Sequence, residues 1–200
     1  MSATGTALVW SPRSNLELYG TTADVSAALD AGVEVALAPD WAVSGSSNML
    51  DELKTADAWN RSQLGARLSS RQLVDMVTSV PAHAAGIDDE VGALQAGLRA
   101  DLIVLRGDAT NPYGSVVRAR ARDVQLVVID GVPLYGDPAL MQKFWPAGDL
   151  EPIAIGKSTK MLAISAAGVS PFGLATGLRP LLEAEGTSLA PLAGDPPESE

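Results

Sequence analysis

The sequence predicts an α/β fold. An apolar run at residues 7–10, an amphipathic segment over residues 25–29 and a second apolar run at residues 34–38 read as strand, helix and strand. Three such elements within about thirty residues make a βαβ unit. Two more helical patterns follow, and beyond Gly86 the texture changes from helical to β.

Ala7-Leu8-Val9-Trp10 reads as a buried strand, and Ser11-Pro12-Arg13-Ser14-Asn15 after it as a polar loop with a turn-forming proline. Val25, Ala28 and Leu29 recur at helical spacing, with Thr21 or Thr22 as the N-cap and Gly32 as the stop. The strand at residues 34–38 is parallel to the first, because a crossover joins them. It ends at Pro39 and a carboxylate, Asp40, and the small-residue loop Ser44-Gly45-Ser46-Ser47 follows.

Asn48 caps a helix over residues 48–60 with Met49, Leu53 and Ala56 on one face. Ser69-x-x-Gln72 is a capping box that opens another, with Leu73, Met76, Val77 and Val80 at helical spacing and His83 late in it. Residues 101–105 form a strand approached through Gly92 and Gly97, and residues 125–129 form the next. Asp130-Gly131 turns that strand into Val132-Pro133-Leu134-Tyr135, since a type I′ turn needs positive φ at both central residues. Residues 153–155 and 161–164 are short strands around Gly156-Lys157, and Leu178, Leu181 and Leu182 suggest a last short helix. The expected division is residues 1–86, residues 87–193 and a Pro- and acid-rich disordered tail at 194–200.

With 46% apolar residues the chain can bury a core, and its net charge of −10 argues against nucleic acid or an anionic membrane as partner. The absence of cysteine fits a reducing compartment. The N-terminus has no basic segment followed by an apolar one, and no run reaches the ~18 apolar residues of a membrane helix. The expected location is the cytoplasm.

An acid at the carboxyl end of a buried strand sits where α/β enzymes place their chemistry. Asp after a strand also commonly caps a loop or helix. With one histidine and no cysteine, the chain cannot assemble the usual three or four ligands of a zinc site. Arg13 and Asn15 fit turn chemistry after Pro12, or hydrogen bonding to a polar substrate. Trp41 reads as a packing residue rather than one that stacks on substrate. Gly45 reads as part of a flexible loop or as room for close approach of a ligand, and His83 as a satisfied or solvent-facing helix residue.

Several segments carry a family resemblance. Trp10-Ser11-Pro12-Arg13-Ser14-Asn15 resembles the loop after the seventh strand of an amidohydrolase barrel, and Val35-Ala36-Leu37-Ala38-Pro39-Asp40 its eighth strand with the metal-facing acid. Val80-Pro81-Ala82-His83-Ala84-Ala85-Gly86 is similar to a helix end of that family. Residues 92–105 match its Gly-x-Leu-x-x-Gly-x-x-Ala-Asp-Leu segment, where the chain leaves the barrel. Over residues 5–145 the chain resembles the C-terminal portion of a metal-dependent amidohydrolase of the cytosine-deaminase and chlorohydrolase type.

The resemblance implies the last βα units of a TIM-like (β/α)8 barrel, then part of an accessory β-sandwich domain. It implies hydrolysis of a non-peptide C–N bond by water activated on Zn²⁺ or Fe²⁺. Asp40 matches the acid that contacts the metal and shuttles the proton, and Arg13 and Asn15 match a substrate-lining loop. The implied substrate is a small amide, amidine or aminated heterocycle. The family's histidine ligands and first six barrel strands have no counterpart here, and a barrel alone takes about 250 residues. The chain by itself is therefore expected to bind no metal and to be inactive, and to want its missing N-terminal half or a second copy. The alternative is a non-catalytic remnant serving as an interaction or small-molecule-binding module without metal.

Overall fold

β1 (Leu8–Trp10) and β2 (Val35–Leu37) pair in parallel as a two-stranded sheet, with Leu8 opposite Val35 and Trp10 opposite Leu37. The computed structural model describes residues 4–167, so the expected helix around Leu178 and the tail at 194–200 lie outside the described residues. The described chain divides into two units. One holds everything up to Arg99 together with Gly107–Ala119, and the other holds Ala100–Arg106 with the described residues from Arg120 onward. The border thus falls beyond residue 86.

In the first unit, β1 runs into α1 (Pro12–Tyr19), where the sequence suggested a loop. The proline that reads as a turn former is at N1, where its fixed φ suits a helix and its missing N–H is no loss. Gly20, in the left-handed region, closes this helix by donating its N–H to Leu16 O. α2 (Val25–Asp30) is capped by Asp24, which accepts the Ala27 N–H, rather than by Thr21 or Thr22. The Thr22 hydroxyl is otherwise engaged, accepting from the Trp10 indole N–H at 2.7 Å.

α3 (Met49–Gln63) begins at the expected cap, Asn48, whose side chain accepts the Asp51 N–H. The capping box of Ser69 and Gln72 also forms, and it opens α4 (Ser70–Asp75). The single helix expected there is two, because the chain breaks after Met76 and restarts as α5 (Ser79–Ala85). Two causes act at the break. Pro81 falls in the first turn of α5, where its missing N–H has no intrahelical partner to lose. The Met76 carbonyl, free of the helix ladder, accepts the Leu37 N–H of β2 at 2.8 Å.

α6 (Pro112–Arg118) completes this unit, with Asn111 as its cap. Val117 on this helix is buried in the unit's core. That core joins Trp10, Val25, Leu37, Leu53, Leu73 and Met76, so both strands are packed by helices α2, α3 and α4.

The second unit is an antiparallel sheet of β3 (Leu102–Leu105), β4 (Val124–Ile129), β5 (Val132–Gly136), β6 (Leu150–Ile155) and β7 (Ser158–Ala163), in the order β3-β4-β5-β7-β6. Asp130 and Gly131, with φ of 51° and 77°, make the β4–β5 hairpin turn as expected. Short helices α7 (Pro138–Met141) and α8 (Ile164–Ala167) were not anticipated, and Ile164 leaves the expected strand to open α8. Met141, Leu150 and Ala163 form a small core. Lys160 of β7 is 1% exposed, and its amine donates to Val124 O at 2.6 Å and Asp137 Oδ1 at 2.5 Å.

Candidate active site

Both strands of the parallel sheet deliver their carboxyl ends to one place. β1 delivers α1 and with it Arg13, Ser14 and Asn15, while β2 delivers Asp40 through Ala38 and Pro39. The Ala38 N–H donates to Trp10 O at 3.0 Å, so the two exits stay together beyond the strands.

Asp40 is exposed and has a φ of 59°, in the left-handed region that few non-glycine residues adopt. Its Oδ2 accepts the hydroxyl of Ser14 at 2.7 Å. Ser14 is 0% exposed and also lies 2.9 Å from the Ser44 hydroxyl. A hydroxyl has a single proton, and Ser14 gives its own to Asp40, so Ser44 is the donor to Ser14. Among the described residues Asp40 Oδ1 has no hydrogen-bond partner.

Of the other two candidates, Asn15 is half-buried and Arg13 is exposed. Asn15 Oδ1 accepts from Thr22 Oγ1 at 3.0 Å, which continues the chain from the Trp10 indole and spends that oxygen on structure. The Arg13 guanidinium has no hydrogen bond to Asp40. Its backbone N–H instead donates to Glu52 Oε1 at 3.1 Å. Glu52, in the first turn of α3, is 0% exposed, and its Oε2 has no partner among the described residues.

The loop after Asp40 is closed by backbone hydrogen bonds. The Trp41 carbonyl accepts the N–H groups of Ser44 at 3.1 Å and Gly45 at 2.6 Å. A Cβ on Gly45 would lie 1.8 Å from Pro39 O, so the close approach this glycine permits is to its own chain. Trp41 is 64% exposed, which overturns the expectation that it packs.

His83 lies far from this cluster in the fold, beside Glu34 at the start of β2. Its Nδ1 is 3.0 Å from Asp88 Oδ2 and its Nε2 3.8 Å from Glu34 Oε2. The Asp88 hydrogen bond, with the Glu34 charge behind it, raises the His83 pKa above its ordinary 6.5, and the same bond lowers that of Asp88. Glu34, Ser79, His83, Asp88 and Gly92 line a cavity of about 250 Å³. Among the described residues no group of three or more His, Cys, Asp or Glu is arranged to hold a metal ion. Asp40 is a carboxylate with no companion ligand, and it does not fit a metal centre without donors from elsewhere.

Sequence reasoning pointed to Asp40, Arg13 and Asn15, and it gave no role to Ser14, Ser44 and Glu52, which hydrogen bonds tie to that cluster. A signal for Glu52 existed. It stands three residues after Met49 and four before Ala56, on the face assigned to the core.

A carboxylate set at the tip of a parallel strand is the arrangement of an α/β enzyme site. The profile of the amidohydrolase family matches residues 3–134, and the chain belongs to that family. It is 34% identical over 133 residues to a 5-methylthioadenosine/S-adenosylhomocysteine deaminase of Carboxydothermus hydrogenoformans, covering 62% of this chain and 30% of the relative. The corresponding deaminase of Halobacterium salinarum is 34% identical over 147 residues, covering 68% and 34%. Among solved structures, a zinc-bound adenosine deaminase of Xanthomonas campestris superposes with a TM-score of 0.57 at 26% identity, covering 64% of this chain and 31% of that one. The zinc complex of atrazine chlorohydrolase from Arthrobacter aurescens TC1 gives 0.55 at 25% identity, covering 66% and 32%. The chain thus spans about a third of the length of these relatives. Among the described residues no helix is long and apolar enough to cross a membrane.

Proposed function

We propose that this chain carries the Asp40-bearing part of an amidohydrolase that removes an amino group from a small nitrogen heterocycle, a substrate of the kind named for its deaminase relatives. In this reading β1 and β2 are the last two strands of a (β/α)8 barrel, and the antiparallel unit is part of the accessory β domain. One observation carries the reading. Asp40 stands past the carboxyl end of β2 with Oδ2 fixed by Ser14 and, among the described residues, Oδ1 without a partner, so one oxygen is anchored while the other is available to a proton. A carboxylate placed so can accept a proton from water and return it to a leaving nitrogen. Arg13 and Asn15 flank Ser14 and would meet the substrate.

Zinc or iron belongs to this reading through the family, and imidazoles from polypeptide beyond the described residues would have to hold it. Among the described residues Asp40 has no companion ligands, which favours one other reading, a binding module that keeps the acid without hydrolysis.

The deciding assay is ammonia release from adenosine and 5-methylthioadenosine, by the 200-residue chain alone and joined to polypeptide supplying histidine ligands. Turnover is expected in the joined form alone, and Asp40→Asn should abolish it. Activity that survives Asp40→Asn, or turnover with stoichiometric metal in the isolated chain, overturns the proposal.

A further inference from the structure

We propose that Glu52 is a positioning residue for the Asp40 site: its buried carboxylate caps α1 and thereby sets where Ser14 presents its hydroxyl to Asp40. The inference rests on the reading that Asp40 acts in the reaction.

The first turn of α1 lacks a local cap. Ser11 stands at the N-cap position without a side-chain hydrogen bond, and Pro12 has no N–H to offer. The Arg13 N–H is therefore an orphan donor of the helix terminus. Glu52, 39 positions along the chain and on a different helix, supplies the acceptor. The next residue is Ser14, which is also buried and holds Asp40. The line from Glu52 to Arg13 to Ser14 to Asp40 has one hydrogen bond at each end and one peptide link between them.

Packing alone does not explain a glutamate here. One oxygen makes a single bond and the other makes none among the described residues. Removing a carboxylate from water costs more than one such bond returns. A neutral side chain of this length could have filled the same space. What the carboxylate adds is a charged acceptor at the positive end of α1, where the attraction is directional and local. It fixes the turn that carries Arg13, Ser14 and Asn15.

The test is NMR of the labelled 200-residue chain and its Glu52→Met and Glu52→Gln variants. Methionine keeps the volume without an acceptor, whereas glutamine keeps the acceptor without the charge. In Glu52→Met the Arg13 amide should exchange with solvent at least tenfold faster. The Ser14 signals and the Asp40 carboxyl carbon should shift, while α4 and the antiparallel sheet keep their native positions. Glu52→Gln should return Ser14 and Asp40 to their original positions and move the Arg13 amide proton upfield. A packing role predicts the reverse, with methionine harmless, and unmoved Ser14 and Asp40 signals in Glu52→Met overturn the proposal. Should Glu52→Met fail to fold, an unchanged Arg13 amide in Glu52→Gln overturns it and an upfield shift supports it. Ammonia release that survives Asp40→Asn in the joined enzyme would remove the catalytic meaning of Glu52 by a separate route, whatever the spectra show.

Discussion

The Ser14 hydroxyl donates to Asp40 Oδ2 across 2.7 Å from a position with no solvent exposure, and the two residues are 26 apart in sequence. A buried hydroxyl thus orients an exposed carboxylate. Ser14→Ala leaves the Ser44 hydroxyl without its acceptor and Asp40 without its donor. Of the two only Ser44 is buried, and stranding a buried polar group costs about 1–3 kcal/mol, so this variant should lose stability in that range. Urea unfolding checks it, and an unchanged midpoint would contradict the bonding described.

Gly45 is held against Pro39 so closely that a Cβ would meet the carbonyl oxygen at 1.8 Å and the Trp41 carbonyl at 3.0 Å. The conflict is with backbone, which cannot rotate away. Gly45→Ala should therefore cost at least the ~1–3 kcal/mol of an overpacked site and move the Asp40 backbone. Chemical-shift changes spreading from Gly45 to Asp40 are the expected signature.

Lys160 sits in the antiparallel unit with its amine on Val124 O and Asp137 Oδ1. Removing one partner of a buried pair typically costs about 3–5 kcal/mol, and the partial exposure of Asp137 puts Lys160→Met near the lower end. Adding Asp137→Leu should recover most of the loss, because no charge is then stranded. The indole signal of Trp145, which donates to Pro133 O in the same unit, reports this transition during denaturation.

The His83 contacts predict a pH window. The folded-state pKa of His83 is raised, so its contribution is complete below the ordinary 6.5 and disappears as pH rises through the raised value. That of Asp88 is lowered, so its contribution is complete above the ordinary 3.8 and disappears as pH falls through the lowered value. The pair is strongest between those two values. His83→Ala should lower the melting temperature near pH 5 and leave it unchanged near pH 9. An equal loss at both values would show that the contact is not ionic.

Helix caps and hairpins were the most legible features of this sequence, because each depends on a few adjacent residues. Asn48, the Ser69/Gln72 box and Asp130-Gly131 all act as local chemistry dictates. The failure at Ser11-Pro12-Arg13-Ser14-Asn15 had wider consequences. Proline fits both a turn and a helix start, and what favours the helix is an acceptor on α3 that local reading does not see. Once α1 is taken for a loop, Glu52 has no terminus to cap and resembles an ordinary first-turn acid. Ser14 was hidden for a related reason, since its partner arrives from another strand. The break after Met76 depends on β2 in the same way, through the carbonyl taken by Leu37.

The path of the backbone between the two units has a practical outcome for anyone attempting to dissect them. It crosses the border after Arg99, again after Arg106 and once more after Ala119. A protease nick at the last crossing leaves β3 on the early piece, still zipped to β4 on the late one, while a nick at the first leaves α6 covalently tied to the late piece. Neither unit can be released by one scission, so digestion should yield nicked molecules that co-elute until denaturant is added.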